Sequence, residues 1–166
     1  MAGMLVVATL LALVPTPVGI GRRYHPSPAA HGACVAASLD RGPRVHLELF
    51  AGGRVVIVPA AVGLRGAHVT LGRVDRARCR ARVWTTDPTG VLSFERDATL
   101  GDLFAVWGRA LGPARLLGFR GDVRVYVDGL RRKLDPRDVR LRDGAELVLE
   151  VGTYVPPHRS YRFPPR

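Results

Sequence analysis

The sequence predicts an α+β fold, in which a mixed or antiparallel sheet holds one main helix across its face in a β-grasp-like arrangement. Apolar, β-rich runs flank the turn dipeptides at 52–53 and 128–129, as they do in β-hairpins. One amphipathic stretch lies between these hairpins, and a turn at 143–144 precedes a last β-rich run. Because a single amphipathic helix needs a sheet opposite its apolar stripe, this order of elements favours the class.

The chain of 166 residues suits one folded domain with flanking segments. Its 13 prolines and 19 glycines indicate short elements joined by many turns. We predict a signal peptide or N-terminal anchor at 1–20, a Pro/Ala/Arg-rich linker at 21–43, one β-rich domain at 44–153 and a Pro/aromatic tail at 154–166.

The N-terminal segment predicts export. Met4 to Val14 is a run of eleven residues, apolar but for Thr9, which is typical of a signal peptide and shorter than a membrane span of about 20 residues. We therefore expect the protein outside the cell or in the cell envelope, with membrane contact only through this segment if it stays uncleaved. No Lys or Arg precedes Arg22. The alternatives are a buried first helix and a wrongly assigned start codon.

Two cysteines, Cys34 and Cys79, follow that segment. An even number of cysteines in an exported chain favours a disulfide. We predict that the two are bonded to each other, with a pair of buried free thiols as the alternative.

The first predicted hairpin lies in the segment 45–60, with its turn at Gly52-Gly53 and its second strand closed by Pro59. In the following stretch 75–84, arginines at 76, 78, 80 and 82 share one parity and Cys79 lies on the other. A single strand would place Cys79 on the apolar face and the guanidinium groups in solvent. We interpret this strand as a sheet edge protected by charge.

The segment "DPTG" at 87–90 predicts a type I turn that leads into a strand at 91–95. Thr99 then predicts a helix N-cap, and Asp102 completes an approximate capping box. The helix is expected to end at Gly112-Pro113. Its apolar stripe consists of Leu100, Leu103, Phe104, Trp107 and Leu111.

The last third predicts a hairpin at Asp128-Gly129 and a final strand after the turn at 143–144. The tail that follows is rich in proline, arginine and aromatic residues. We expect it to pack its aromatic rings along the domain surface, and a proline-rich recognition ligand is the alternative.

The net charge of +11 raises the question of nucleic-acid binding. Only Lys133 among the 25 basic residues is a lysine, and the arginines run from Arg22 to Arg166 without a dominant cluster or interleaved aromatics. This distribution favours a solvated basic surface with weak attraction to anionic partners over a specific nucleic-acid interface.

Motifs for catalysis are missing from the sequence. It contains no G-x-S-x-G elbow, Cys-His signature or phosphate loop. The five histidines, at 25, 31, 46, 68 and 158, include no pair at the i, i+2 or i, i+4 spacing of metal sites. We expect no enzymatic activity and no cofactor.

From Cys34 to Pro165 the chain resembles an uncharacterised family of small exported bacterial and archaeal proteins. The family pattern has a cysteine, a strand of the type H-x-H-x-H-L, the segment C-x-Y-W-L-H-T-H-D-x-x-G-x-I-H-x-E and a helix T-L-G-x-F-F-x-x-W-G. The matching segments here are Cys34, "HLELFAGG", "CRARVWTTDPTGVLSFE", "TLGDLFAVWG", "VRVYVDG" and "PPHRSYRFP".

The resemblance implies histidines at positions where this chain has Trp84, Thr86 and Ser93. Alternation along two paired strands would bring such imidazoles together as a zinc or copper site. The first two histidines of the earlier strand correspond to Gly42 and Arg44. Only His46, Asp87 and Glu95 remain from the pattern, and they are weak candidates for metal ligands.

The sequence thus predicts an exported, non-enzymatic binding or accessory module of the cell envelope, with an unidentified envelope or extracellular partner. Trp84, Thr86 and Ser93 mark the candidate surface. Two other hypotheses stay open: a degenerate zinc- or copper-binding protein, and a basic nucleic-acid-binding protein.

Overall fold

The computed structural model describes residues 34–39 and 42–165. The predicted signal peptide or anchor at 1–20 and the first part of the predicted linker lie outside the described residues. In chain order the elements are β1 (Val35–Ala36), β2 (Arg44–Ala51), β3 (Arg54–Val56), β4 (Leu64–Arg65), β5 (His68–Thr70), β6 (Arg73–Arg76), β7 (Cys79–Arg80), β8 (Val83–Trp84), β9 (Val91–Phe94), α1 (Leu100–Trp107), β10 (Leu111–Gly112), β11 (Arg115–Leu116), β12 (Phe119–Arg120), β13 (Val123–Val127), β14 (Leu130–Arg132), a 3-10 helix (Pro136–Asp138) and β15 (Glu146–Val151).

A mixed seven-stranded sheet forms the centre of the fold. Its order is β14-β13-β15-β2-β9-β8, and β3 also pairs with β2. The strands β2 and β15 run parallel side by side, with His46 opposite Glu146 and Ala51 opposite Val151, and the other pairs are antiparallel. The first half of β2 pairs with β9 and its second half with β3. Three smaller sheets surround this one: β1-β7-β4, β10-β11-β12 and β5-β6.

Both predicted hairpins are confirmed. The strands β2 and β3 pair around Gly52-Gly53, and β13 and β14 pair around Asp128-Gly129. The predicted strand after "DPTG" is β9, and the predicted last strand is β15. These elements follow from turn residues between β-rich runs, which is the local signal that sequence expresses most directly.

The start of the helix is confirmed and its end is not. Thr99 accepts a hydrogen bond from the Asp102 backbone N–H, and Asp102 accepts one from the Thr99 backbone N–H, completing the capping box. The helix ends at Trp107, because Gly108 adopts a left-handed conformation with φ of 67°. The predicted end at Gly112-Pro113 is therefore wrong, and Leu111 lies in β10.

The expected fold class, α+β with one main helix in a β-grasp-like arrangement, is also wrong. Strands hold about 40% of the residues and helices about 8%, so the chain is mostly β. The helix has only eight residues. The helix was expected to reach Gly112, but Leu111–Gly112 is the first strand of the small sheet β10-β11-β12. Several sheets, instead of one sheet and one long helix, therefore enclose the core.

The arginine-rich stretch is broken into β6, β7 and β8, so the predicted single strand is wrong. Cys79 lies in β7 and is bonded to Cys34, which confirms the predicted disulfide. The bond ties the segment before β1 to the strand that β1 pairs with. A disulfide of this kind is consistent with an extracellular or otherwise oxidising compartment.

The main sheet has one apolar face and one mixed face. On the inner face, alternate residues of β2, β13 and β15 pack with Leu100, Leu103, Phe104 and Trp107 of the helix in one buried cluster. On the outer face, Phe50, Tyr126 and Val148 form a second, smaller cluster, against which Val155 of the tail packs. Within the described part of the chain, no helix has the length and apolar composition needed to cross a bilayer.

Candidate functional site on the outer face of the sheet

Charged side chains alternate with apolar ones on the two central strands. Arg44, His46 and Glu48 share the outer face of β2, and Glu146 and Glu150 share the outer face of β15. The parallel register sets His46 directly opposite Glu146. Titratable groups therefore lie in the middle of the sheet, where neighbouring strands and the tail bury them.

His46 and Glu146 form a buried pair. The Nδ1 atom of His46 lies 2.8 and 3.0 Å from the two carboxylate oxygens of Glu146, and both side chains are almost completely buried. The Nε2 atom lies 3.0 Å from the carbonyl oxygen of Thr89. A carbonyl oxygen can only accept a hydrogen bond. The Nε2 atom therefore carries a proton and donates a hydrogen bond to the Thr89 carbonyl oxygen. The Nδ1 atom is therefore the position at which the pair can exchange a proton or bind a cation.

Glycine at position 90 allows the turn after Pro88 to approach this histidine. Gly90 has φ of 85°, and a Cβ atom there would lie 2.6 Å from the Leu47 carbonyl oxygen and 3.0 Å from His46 Nε2. Any other residue would separate the turn from β2. Gly90 thus holds the Thr89 carbonyl against the imidazole.

The C-terminal tail crosses the outer face antiparallel to β2. Val155 packs near Phe50, His158 bonds Glu48 at 2.9 Å, and Tyr161 stacks on His46 with ring centroids 3.7 Å apart. Phe163 contacts Tyr161 edge to face at 5.1 Å, and the Arg44 guanidinium lies 5.5 Å above the Phe163 ring. Arg44 also donates to the Pro164 carbonyl oxygen at 3.1 Å. The expected packing of tail aromatics on the domain surface is confirmed.

Two carboxyl groups on this face lie in a low-dielectric environment. Burial raises the pKa of Glu146, against the opposing hydrogen bond from His46. Burial likewise raises the pKa of Glu150, against the hydrogen bond that Arg124 donates at 3.0 Å. The Val155 backbone N–H also lies close enough to Glu150 to oppose this rise, although the second carboxylate oxygen is buried with no hydrogen bond of good geometry among the described residues. Both carboxylates therefore lack the full set of donors that water would provide.

An open cleft of about 630 Å³ lies beside the stacked rings. It is bounded by the segment 37–39, by the hairpin β5-β6, by the turn before β9 and by the tail. Its lining includes Arg44, Arg73, Arg76, Thr86, Asp87 and Tyr161.

Of the predicted candidate surface, only Thr86 lines this cleft. Ser93 pairs with both Arg44 and Trp84, so these three positions do form one cross-strand row. Trp84 is 1% exposed, with the Arg80 guanidinium 4.3 Å above its ring. An indole enclosed in this way cannot meet a partner, and Trp84 is a core residue.

The structure does not bring together the weak metal candidates His46, Asp87 and Glu95. Asp87 accepts hydrogen bonds from Thr89 within its own turn, and Glu95 accepts one from Arg80 at 2.7 Å. Among the described residues, the His, Cys, Asp and Glu side chains that could share an ion are those of His46, Glu48 and Glu146.

Sequence reasoning missed Glu48, Glu146 and His158. The signal was present, because "HLE" at 46–48 and "ELVLE" at 146–150 place charges at even spacing within otherwise apolar strands. Such charges on central strands need a partner on the same face. A search limited to histidine pairs in one element could not find a set that is distributed over two strands and a tail.

Comparison with models of known families, with curated proteins and with solved structures finds no match to this chain.

Proposed function

We propose that the protein is an exported, non-enzymatic binding module that takes an anionic ligand in the cleft between the β5-β6 hairpin and the tail. The observation that supports this most directly is the lining of the cleft, in which three arginines face a polar concavity. Carboxylate or phosphate groups are the partners that guanidinium groups recognise best.

The two aspartates among the described residues of the cleft lining do not offset its three arginines. Arg73 and Arg76 are exposed and form no ion pair within the described part of the chain. Of the two acidic residues in the lining, Asp75 already bonds His68 at 2.9 Å and Thr70 at 3.0 Å, and Asp87 bonds Thr89. The arginines are therefore left to interact with an external anion.

The walls of the cleft are held in place from several directions. Arg44 is fixed by Pro164 and Phe163, and the Val74 backbone N–H donates to the Thr86 carbonyl oxygen at 2.7 Å. Fixed walls reduce the ordering cost of binding. The disulfide and the apolar N-terminal run support placement of this module outside the cytoplasm.

The experiment is isothermal titration calorimetry of the mature chain with sodium tripolyphosphate, and with a single-stranded DNA oligonucleotide as a comparator, at low and at high salt. We expect saturable tripolyphosphate binding that weakens as salt is added, because screening reduces the attraction between charges. The double variant Arg73→Gln/Arg76→Gln should lose about tenfold or more in affinity.

The matched control is Arg120→Gln/Arg132→Gln, which removes the same charge from exposed positions outside the cleft. Its affinity should stay close to that of the wild type. Equal losses in the two double variants would mean that net charge alone attracts the anion. Tighter binding of DNA than of tripolyphosphate would favour the nucleic-acid alternative.

A further inference from the structure

We propose that His46, Glu48, Glu146 and His158 form a binding site for a divalent transition-metal ion, with Zn²⁺ as the test ion. Ligand atoms of the first three residues all lie within 4.8 Å of one another. His158 Nδ1 lies 2.9 Å from both carboxylate oxygens of Glu48 and adds a second imidazole. This site is separate from the anion cleft and does not depend on the proposed function.

The distances are close to those around a zinc ion. With bonds of about 2.1 Å in a tetrahedron, neighbouring ligand atoms are about 3.4 Å apart. In the structure the corresponding separations are 2.8 Å for His46 to Glu146 and 2.9 Å for His158 to Glu48. To hold an ion, each of these two pairs must open by about half an ångström, and the ligand atoms of His46, Glu48 and Glu146, which lie within 4.8 Å of one another, must close to the tetrahedral spacing. The exposed side chain of His158 reaches the ion by turning from its contact with Glu48.

The hydrogen bond from His46 to Thr89 prepares the imidazole for a metal. It places the proton of the neutral ring on Nε2, so that Nδ1 is the atom that binds either a second proton, donated to Glu146, or a metal ion. Two groups that only accept cannot face each other at 2.8 Å unless a proton or a cation lies between them. Metal-bound histidines in proteins typically donate their other N–H to a carbonyl or carboxylate in this way.

The charges also balance. Two carboxylates and two neutral imidazoles carry a charge of −2, which one divalent ion neutralises. Within the described residues, the only donor to the buried carboxylate of Glu146 is the His46 imidazole. A metal ion would replace the single proton that lies between these two side chains and bring two positive charges to the buried carboxylate.

The donor set selects the kind of metal. Imidazole nitrogen with carboxylate oxygen suits Zn²⁺ and Cu²⁺, whereas Ca²⁺ and Mg²⁺ prefer oxygen ligands alone. Both cysteines of the chain are bonded to each other, so no thiolate competes. Tyr161 stacks on the His46 ring and shields it, while the side chain of His158 is 69% exposed and leaves a path from solvent.

The location implies that the metal fastens the tail to the sheet. His46 and Glu48 belong to β2, Glu146 belongs to β15, and His158 belongs to the tail. One ion would therefore join three segments that are far apart in sequence. Binding should raise the melting temperature of the protein, because the unfolded chain cannot present the four ligands together.

The test is calorimetric titration of the tag-free mature chain with Zn²⁺ alone, followed by X-ray absorption spectroscopy of the zinc-loaded protein. The informative variants are Glu48→Gln and His158→Ala, because these side chains lie at the rim of the site and their loss leaves the buried pair intact. The matched control is His68→Ala, since His68 forms an exposed histidine-carboxylate pair of the same geometry with Asp75.

We expect binding of one Zn²⁺ per chain, an increase in melting temperature and a coordination shell of nitrogen and oxygen that includes two imidazoles. Each of Glu48→Gln and His158→Ala should weaken binding about tenfold or more, and His68→Ala should not. The inference is wrong if no zinc binds at a ratio of one, if both rim variants bind like the wild type, or if His68→Ala weakens binding equally. The Arg73→Gln/Arg76→Gln variant should keep its zinc affinity, so failure of the anion proposal would leave this result unchanged.

Discussion

The rings of His46 and Tyr161 stack with centroids 3.7 Å apart and planes inclined by 11°. This contact joins the first central strand of the sheet to the C-terminal tail. The contact also lies between the proposed metal site and the proposed anion cleft. His46 belongs to the buried histidine-carboxylate pair, and Tyr161 lines the cleft. The stacking of these rings therefore holds the tail on the outer face of the sheet and positions residues of both proposed binding sites.

Replacement of Tyr161 by alanine should release the tail from the sheet. We expect Tyr161→Ala to lower the free energy of unfolding by about 1–2 kcal/mol, through loss of ring stacking and buried area. Tyr161→Phe should stay within about 0.5 kcal/mol of the wild type, because the stacking uses the ring alone. Urea denaturation measures both changes. If the two variants lose the same free energy, the hydroxyl and not the stacked ring carries the contact.

Gly90→Ala should be costly for a steric reason. The new Cβ would lie 2.6 Å from the Leu47 carbonyl oxygen, in a residue with φ of 85°. Gly144 has a similar φ of 76° with open space around it, so Gly144→Ala measures the conformational cost by itself. We expect the free energy of unfolding to fall by about 1 kcal/mol in Gly144→Ala and by about 3 kcal/mol or more in Gly90→Ala, as measured by thermal or urea unfolding. Equal costs would mean that the turn does not need its close approach to β2.

Glu150 predicts a specific dependence of stability on pH. Burial raises its pKa in the folded state above the ordinary value of 4.5. Such a carboxyl stabilises the fold most when it is protonated, and its contribution is lost as the pH rises through the folded pKa. The unfolding free energy of the wild type minus that of Glu150→Gln should therefore decrease as the pH rises above the ordinary value of 4.5 and through the higher pKa of the folded state. A difference that stays constant or increases would contradict the direction of this shift.

Removal of the disulfide should destabilise the fold through the unfolded chain. Cys34 and Cys79 are separated by 45 residues. For a loop of this size the chain-entropy model gives about 4 kcal/mol. We expect Cys34→Ser/Cys79→Ser to lose roughly this amount in urea unfolding, and reduction of the wild type with dithiothreitol to reproduce it. A loss below about 1 kcal/mol would show that the unfolded chain is little constrained by the bond.

The parts of the fold that the sequence predicted depend on local chemistry. The turns at Gly52-Gly53 and Asp128-Gly129 and the capping box of Thr99 and Asp102 are formed by residues adjacent in sequence. The helix was predicted to continue to Gly112-Pro113, but Gly108 ends it earlier in a left-handed conformation. The fold class failed because many short strands, gathered in three small sheets besides the main one, hold much more of the chain than the single short helix.

The candidate site could be predicted only in part. His46 was found, and Thr86 lines the cleft as a candidate surface residue should. The partners of His46 come from β15 and the tail, and their proximity depends on the parallel pairing of the first and last strands. No local pattern encodes that pairing. Trp84 was wrongly predicted to be a surface residue. The alternation of side chains along a strand indicates which face of the sheet a residue lies on, but not whether other parts of the chain cover that face.

The central claim is that the arginine-lined cleft, and not the basic surface as a whole, binds anions. The most direct measurement is a titration of the ¹⁵N-labelled mature chain with tripolyphosphate, followed by amide chemical shifts. We predict that the shifts concentrate on the backbone around Arg73, Arg76 and Thr86 and saturate together with the calorimetric curve. Shifts spread over exposed arginines such as Arg120 and Arg132, without saturation, would contradict the account.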